Sequence, residues 1–543
     1  MADPAQSKSN ESANAGKVPT DHVENVECQS DARKAAEAEK NMTLMQALRG
    51  NWKAALWSAI ISLTIIMEGY DVGLIYQFFA YPSFAKTFGT WHPASNSYQV
   101  SGQWQAALSN GANVGIVIGG FLNGFLSPKF GYKRVVLGAL FVMNWLIFIP
   151  FFASSAPVLL VGQVLCGLTW GIFATTGPAY ASEVCPQVLR GYLTCYVNLC
   201  WAIGQLISAG VLYGAMDLPG RWGYRLCYAL QWVWPVPLLL IILFAPESPW
   251  YLVRKERVED AYKSLAKLGT TDAQAQQQTI AQIVHTLKLE EEMESGTSYL
   301  DLFKGVDRRR TEIACMAFMG QVLSGSTFAF GPTYFFQQAG ISTANSYQIA
   351  VGGTACGFVG TVFSWYLISK FGRRTLYLGG LILDSALLLT IGILASASQA
   401  SGSKWAQATL CILWLLVYSA TIGPVCYTII SETSSLGLRA KSVCLSRNVY
   451  NITQIIANVI EPYLINPTEA DLKGKTAYFW FGTACLAITW TYFRLPECRG
   501  RTYEELNVMF HEKVPARKFA KWEGDAYDNE LTRRKAKEAV DEM

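Results

Sequence analysis

Apolar residues in this chain gather into runs near twenty residues long, divided by short polar breaks. The runs cover 54–79, 103–126, 134–154, 157–180, 191–214 and 226–245, then 312–337, 346–368, 375–396, 406–430, 441–464 and 476–494. A helix of about twenty apolar residues crosses bilayer hydrocarbon, so the pattern predicts twelve transmembrane helices. Between the sixth and seventh runs lies a polar stretch with charged amphipathic pieces, such as R-K-E-R-V-E-D-A-Y-K-S-L-A-K-L at 254–268. The predicted organisation is a disordered tail at 1–50, a six-helix bundle at 51–245, a loop with short helices at 246–311, a second six-helix bundle at 312–495 and a tail at 496–543.

Loop charge sets the expected orientation. Lys129, Lys133, Arg134, Arg190, the basic central loop, Lys370, Arg373, Arg374, Arg439 and Lys441 all follow even-numbered segments. The alternate loops carry few cations. The positive-inside rule then places both termini and the central loop in the cytosol, with the chain passing many times through the membrane.

The two halves echo each other. Lys129-Phe130-Gly131 returns as Lys370-Phe371-Gly372, Glu183 with Arg190 returns as Glu432 with Arg439, and Pro246-Glu247 returns as Pro496-Glu497. The offsets are 241, 249 and 250 residues, in one order. Duplicated bundles place a binding site between them near the bilayer midplane.

Composition agrees: 51% of residues are hydrophobic and 15% charged, which is too apolar for an ordinary soluble protein of 543 residues. A net charge of +4 gives no nucleic-acid footprint. The 13 cysteines are scattered, with no C-x-x-C pair. No nucleophile–base set, metal cluster or phosphate loop stands out, so neither enzymatic activity nor a cofactor or metal is expected.

Against this apolar background, Glu68 and Asp71 stand inside the first run. Acids in a membrane helix are costly and usually face a cavity. Three residues apart, they share one helical face. Arg447, about two turns into segment eleven, is the unusual cation. It is expected to snorkel to the cytosolic surface, with Glu461 and Asp384 as alternative partners.

Several stretches carry a family resemblance. Pro178-x-Tyr180-x-x-Glu183-x-x-Pro186-x-x-x-Arg190-Gly191, Pro246-Glu247-Ser248-Pro249 and Pro496-Glu497-x-x-Gly500-Arg501 resemble the signatures of the sugar porter branch of the major facilitator superfamily. Met67-Glu68-Gly69-Tyr70-Asp71, N-L-C-W-A-I-G-Q (198–205), A-P-E-S-P-W (245–250), T-Y-F-F-Q-Q-A-G (333–340) and V-P-A-R-K-F-A (514–520) are similar to fungal maltose and α-glucoside permeases. The resemblance spans roughly 45–520 and implies an all-α membrane fold of two six-helix bundles.

It also implies roles. Arg134, Glu183, Arg190 and Glu247 in one half, with Arg373, Arg374, Glu432, Arg439 and Glu497 in the other, are expected to form a cytosolic gate. The family's usual Asp before each loop glycine is missing, with Pro128 and Ser369 near those places. Asp71 and Glu68 are expected to couple a proton, although Gln163 stands where related porters carry a helix-four Arg. Asn198, Gln205, Gln321, Thr327, Tyr427, Asn448, Asn451 and Gln454 are the candidate sugar contacts. The expected activity is proton-coupled import of a maltose-like α-glucoside disaccharide by a monomer in the plasma membrane. The alternatives are a passive facilitator, a sugar-sensing transporter-receptor, or an importer of β-linked disaccharides such as cellobiose or lactose.

Overall fold

The computed structural model describes residues 43–522 except 93–96, 217, 219, 293–298, 331–332, 334–335, 337–340, 398–400, 436–437, 466–469, 471 and 502. Helices occupy all twelve expected positions. The first span is Trp52–Ser62 continued by Thr64–Phe78, the second Gly102–Phe130, the third Tyr132–Leu146 with Phe148–Phe152, and the fourth Ala156–Val184. The fifth is Gln187–Gly214, and the sixth runs through Trp222–Ala229, Leu230–Val233 and Pro235–Ile242. The seventh is Asp307–Leu323 with Ser326–Phe330, the eighth Thr343–Lys370 and the ninth Arg373–Ala397. The tenth is Ser401–Ala420 with Ile422–Thr433, the eleventh Arg439–Ile465 and the twelfth Thr476–Arg494. A short antiparallel hairpin, Thr90–His92 with Ser97–Gln99, links the first two spans.

Among the described residues, eight helices are long and apolar enough to cross a bilayer by themselves. The second, seventh, eleventh and twelfth fall outside that set. The second and eleventh pack on each other across the two halves, and the seventh packs on the eleventh. Helices that meet around a polar cleft need amides and hydroxyls there, and this lowers their hydropathy.

Within the first half, span one lies along span five and span two along span four; in the second, spans eight and ten, nine and twelve, and seven and eleven pair. The halves meet where span two touches eleven and span five touches eight. Close backbone approach fixes the helix bearing the two acids. A Cβ on Gly69 would stand 2.3 Å from the Trp201 carbonyl oxygen, and one on Gly204 2.3 Å from that of Ile66. The first span breaks at Leu63, where Ser62 and Thr64 hydroxyls donate to the carbonyls of Ser58 and Ile61. Such back-bonding bends helices.

The duplication read from sequence has a physical counterpart. Glu247 accepts from the backbone N–H groups of Tyr132 and Lys133 at 3.0 and 3.2 Å, capping the third span. Glu497 accepts from those of Arg373 and Arg374 at 2.8 and 3.1 Å, capping the ninth. Carboxylates at helix N-termini satisfy free donors and meet the positive end of the dipole. In both halves the loop glycine makes room: a Cβ on Gly131 or Gly372 would lie 2.4 or 2.0 Å from the capping carboxylate.

Past span twelve, the described residues reach Trp522. Tyr503–His511 and Ala516–Lys521 pack under the second half, with Met509, Phe510 and Phe519 buried. Arg309 Nη1 donates to the Val514 carbonyl at 2.8 Å, and Arg310 Nη2 to Asn507 Oδ1 at 2.7 Å.

Candidate functional site

A cavity lies between the halves. Spans five, seven, eight, ten and eleven line it, through Asn198, Trp201, Gln205, Gln321, Thr354, Tyr427 and Arg447 among others. Its free volume is about 30 Å³, the space of a single water. Drug-sized ligands occupy pockets of roughly 300 Å³ or more, so a ligand of that size must part the halves to enter. Inter-half contacts close both ends. Away from the basic loops, the Tyr347 hydroxyl donates to the Gln77 carbonyl at 2.6 Å and Gln348 Nε2 to the Tyr213 hydroxyl at 2.9 Å. Toward the basic loops, Cys195 Sγ lies 3.7 Å from Thr428 Oγ1, and Cys444 Sγ 3.4 Å from the Gly120 carbonyl.

At the cavity wall, Arg447 Nη2 donates to Glu68 Oε1 at 2.9 Å. Arg447 does not reach the surface as expected from sequence, nor does it pair with Glu461 or Asp384; its side chain is 11% exposed and that of Glu68 3%. Snorkelling lost because a buried carboxylate of the facing bundle lies within reach, and Tyr450 presents its ring face at 4.7 Å. Nη1 also donates to the Tyr427 hydroxyl at 3.2 Å. Glu68 Oε2 and Arg447 Nε have no hydrogen-bond partner among the described residues.

Asp71 takes a different position. It is buried inside the first half, where Gln231 Nε2 of the sixth span donates to its Oδ1 and Gln163 lies beside it. It does not line the cavity, and no cation pairs with it among the described residues. Three residues of separation put both acids on one face, but the helix directs them to different neighbours.

The other candidates divide. Asn198, Gln205, Gln321 and Tyr427 line the cavity, and Gln321 Nε2 donates to the Gly423 carbonyl at 3.0 Å. Thr327 and Gln454 do not line it. They join a lattice in which Gln454 Nε2 donates to Thr327 Oγ1 at 3.0 Å and to Asn458 Oδ1 at 2.8 Å, while the Tyr76 hydroxyl donates to Asn458 Oδ1 at 2.8 Å. Asn448 sits against Gly120 of the facing half. Asn451 is buried, with its Nδ2 unpartnered among the described residues.

The gate candidates bond within their own halves. Arg373 pairs with Glu432 at 2.9 Å. At the matching place in the first half, the Tyr132 hydroxyl donates to Glu183 at 3.0 Å, Ser248 Oγ also donates to it, and Arg254 lies 3.5 Å away. Arg374 Nη2 donates to the Tyr492 carbonyl at 2.6 Å. Arg134 makes no ion pair among the described residues. Burial holds the Glu247 carboxyl above the usual carboxylate range, with its backbone N–H donors working against that. The side chains of Arg190 and Arg439 lie outside the described residues.

Sequence reasoning missed the Glu68–Arg447 pair, Gln231 and the aromatic wall of Trp201 and Tyr450. A lone Arg in an apolar helix facing two lone acids in another was the signal that could have found the pair, by charge balance alone.

Two bundles closing on a polar cavity, with an ion pair from one to the other, define a membrane transporter of small polar solutes. The chain belongs to the Sugar (and other) transporter family, whose model matches residues 57–510; it is a multi-pass membrane sugar transporter and not an enzyme. It is 38% identical to the general alpha-glucoside permease of Saccharomyces cerevisiae over 506 residues, covering 92% of this chain and 82% of the relative. It is 36% identical to that yeast's maltose permease MAL31 over 522 residues, with coverage of 94% and 85%. Among solved structures, the proton:xylose symporter XylE bound to 6-bromo-6-deoxy-D-glucose shares the fold, with TM-score 0.70 at 19% identity over 86% of this chain and all of that one. XylE from E. coli in a partially occluded inward-open conformation gives 0.67 at 18% identity, over 84% of this chain and again all of that one.

Proposed function

We propose that the protein imports a maltose-like α-glucoside disaccharide together with a proton, by alternating access, as a monomer in the plasma membrane with both termini cytosolic. The Glu68–Arg447 ion pair carries this reading, because it joins the halves at the cavity wall and leaves one acceptor and one donor without a partner among the described residues. The permease names of the relatives support the sugar class. The basic loops support the orientation, and one copy of the chain supplies both walls of the cavity.

Sugar entering between the halves meets Asn198, Gln205 and Gln321, whose amides each offer two donors and an acceptor in place of water. Trp201, Tyr427 and Tyr450 offer ring faces to its C–H surfaces. A sugar hydroxyl that accepts from Arg447 draws the guanidinium from Glu68. The carboxylate left behind in a low-dielectric site is then stabilised by a proton on Oε2. Linkage makes the effect mutual: the proton raises affinity for sugar as much as sugar raises affinity for the proton. Asp71, one turn along and held by amides alone, takes and yields that proton. The gate residues, Glu183, Glu247, Arg373, Arg374, Glu432 and Glu497 with Arg134, Arg190 and Arg439, hold the cytosolic helix ends while the site faces outward. A proton crossing 100 mV gains about 2.3 kcal/mol, enough for roughly fifty-fold accumulation.

Uptake of labelled maltose, challenged with unlabelled disaccharides, tests the substrate class. Maltose, trehalose and sucrose are expected to compete, and cellobiose and lactose to compete weakly. Displacement by cellobiose or lactose alone would overturn the α-glucoside assignment.

A further inference from the structure

A second concavity, of about 310 Å³, opens on the basic-loop side of the first half, away from the central cavity. Its walls are the loop after span two, the end of span six and the loop helix Val258–Leu268. Lys133, Arg134, Arg257, Lys263 and Lys267 line it against two carboxylates, Glu247 and Asp260. Both carboxylates are already engaged, so neither is left to balance Lys133, Arg134 or Lys267. Glu247 is occupied by the N–H groups of Tyr132, Lys133 and Ser248. Asp260 is shared by Arg257 at 2.6 Å and Lys263 at 3.4 Å. Lys133, Arg134 and Lys267 make no ion pair among the described residues.

Cations gathered around a concavity repel one another and raise the local potential, which favours a multiply charged anion. Arg and Lys side chains both suit phosphate oxygens. The volume is that of a small-ligand pocket. One rim is apolar: Phe130, 43% exposed, lines the pocket, and Phe244, 76% exposed, precedes its Ala245 just past the end of span six. Acyl chains lying against those rings would leave a headgroup at the cationic wall.

We propose that this pocket binds a phosphomonoester anion, supplied by the headgroup of a phosphorylated inositol lipid in the leaflet beside the basic loops. Basic pockets at helix ends on the cytosolic side are suited to such headgroups. Bound there, the phosphate ties Lys267 of the loop helix to Lys133 at the start of span three. That start is the helix end capped by Glu247, so the lipid steadies the gate of the first half.

The test uses the full-length protein in phosphatidylcholine nanodiscs containing a few mole percent of phosphatidylinositol 4-phosphate, with retained lipid counted by native mass spectrometry. The wild type is expected to retain the lipid saturably. Lys263→Gln with Lys267→Gln, both exposed positions that leave the fold intact, is expected to weaken retention about thirty-fold, at roughly one surface-charge contribution per lysine. Lys518→Gln with Lys521→Gln removes the same charge elsewhere and is expected to change nothing. Soluble inositol trisphosphate bound with the same lysine dependence, while the lipid is not retained, would assign the phosphate to solution and overturn the lipid source. Equal retention by the two double variants, or phosphatidylserine held as tightly as the phosphoinositide, overturns the proposal.

Discussion

Glu68 of the first span and Arg447 of the eleventh are joined at 2.9 Å across the boundary between the two bundles. A buried pair of this kind is weak evidence for stability, because desolvation offsets its attraction; removing one partner, however, strands a charge. In the proposed mechanism, this pair responds to what enters the cavity.

Single neutralisation is therefore expected to be worse than double. Glu68→Gln or Arg447→Met should each destabilise the purified protein by about 3–5 kcal/mol, read as a fall in thermal midpoint. The double variant should recover most of that loss while failing to concentrate sugar. A double variant no more stable than the weaker single would show that the charges do not depend on each other.

Asp71→Asn keeps an acceptor for Gln231, so the fold should survive. Uphill uptake is expected to vanish, with the internal-to-external sugar ratio falling to about unity, since the fixed proton site that gives access to about 2.3 kcal/mol per 100 mV is gone. Exchange of sugar across loaded membranes should persist. Continued accumulation would remove Asp71 from the coupling path.

Contacts with sugar should separate from contacts that hold the halves together. Asn198→Leu and Gln321→Leu each remove hydrogen bonds worth about 1–1.5 kcal/mol, so KM is expected to rise roughly tenfold with little change in maximal rate. Gln454→Leu breaks the lattice with Tyr76 and Asn458, away from the cavity wall. It should alter maximal rate more than KM. Initial-rate measurements over a range of sugar concentrations distinguish the two patterns.

The repeated cap makes a stability prediction. Gly372→Ala, just before span nine, places a Cβ 2.0 Å from Glu497 Oε2, whereas Gly379→Ala within that span meets nothing within 4 Å. The first should expel the carboxylate from its N–H donors and cost about 1–3 kcal/mol; the second should be close to neutral. Equal thermal midpoints would contradict the capping role.

Much of the fold was legible because membrane helices announce themselves locally, by run length and loop charge. The repeat was legible because Lys129-Phe130-Gly131 and Pro246-Glu247 return in order. The structure adds that Gly131 and Glu247 are parts of one cap, a tertiary fact with no local signal. The site was less legible. Motif position led to Asn198 and Gln321, which line the cavity, and equally to Thr327, Asn448 and Gln454, which share the same polar character but have neighbours away from its wall. Polarity in a membrane helix reports a polar neighbour, not which one. Arg447 shows the limit: its partner is set by how two bundles face each other, which no window of sequence contains.

The most direct test adds maltose to proteoliposomes of the full-length protein, with no imposed gradient, while a dye follows external pH. The account predicts external alkalinisation that keeps pace with sugar entry and disappears in Asp71→Asn. Sugar entering the wild type with no pH change would make the protein a passive facilitator and contradict the coupling of proton and sugar.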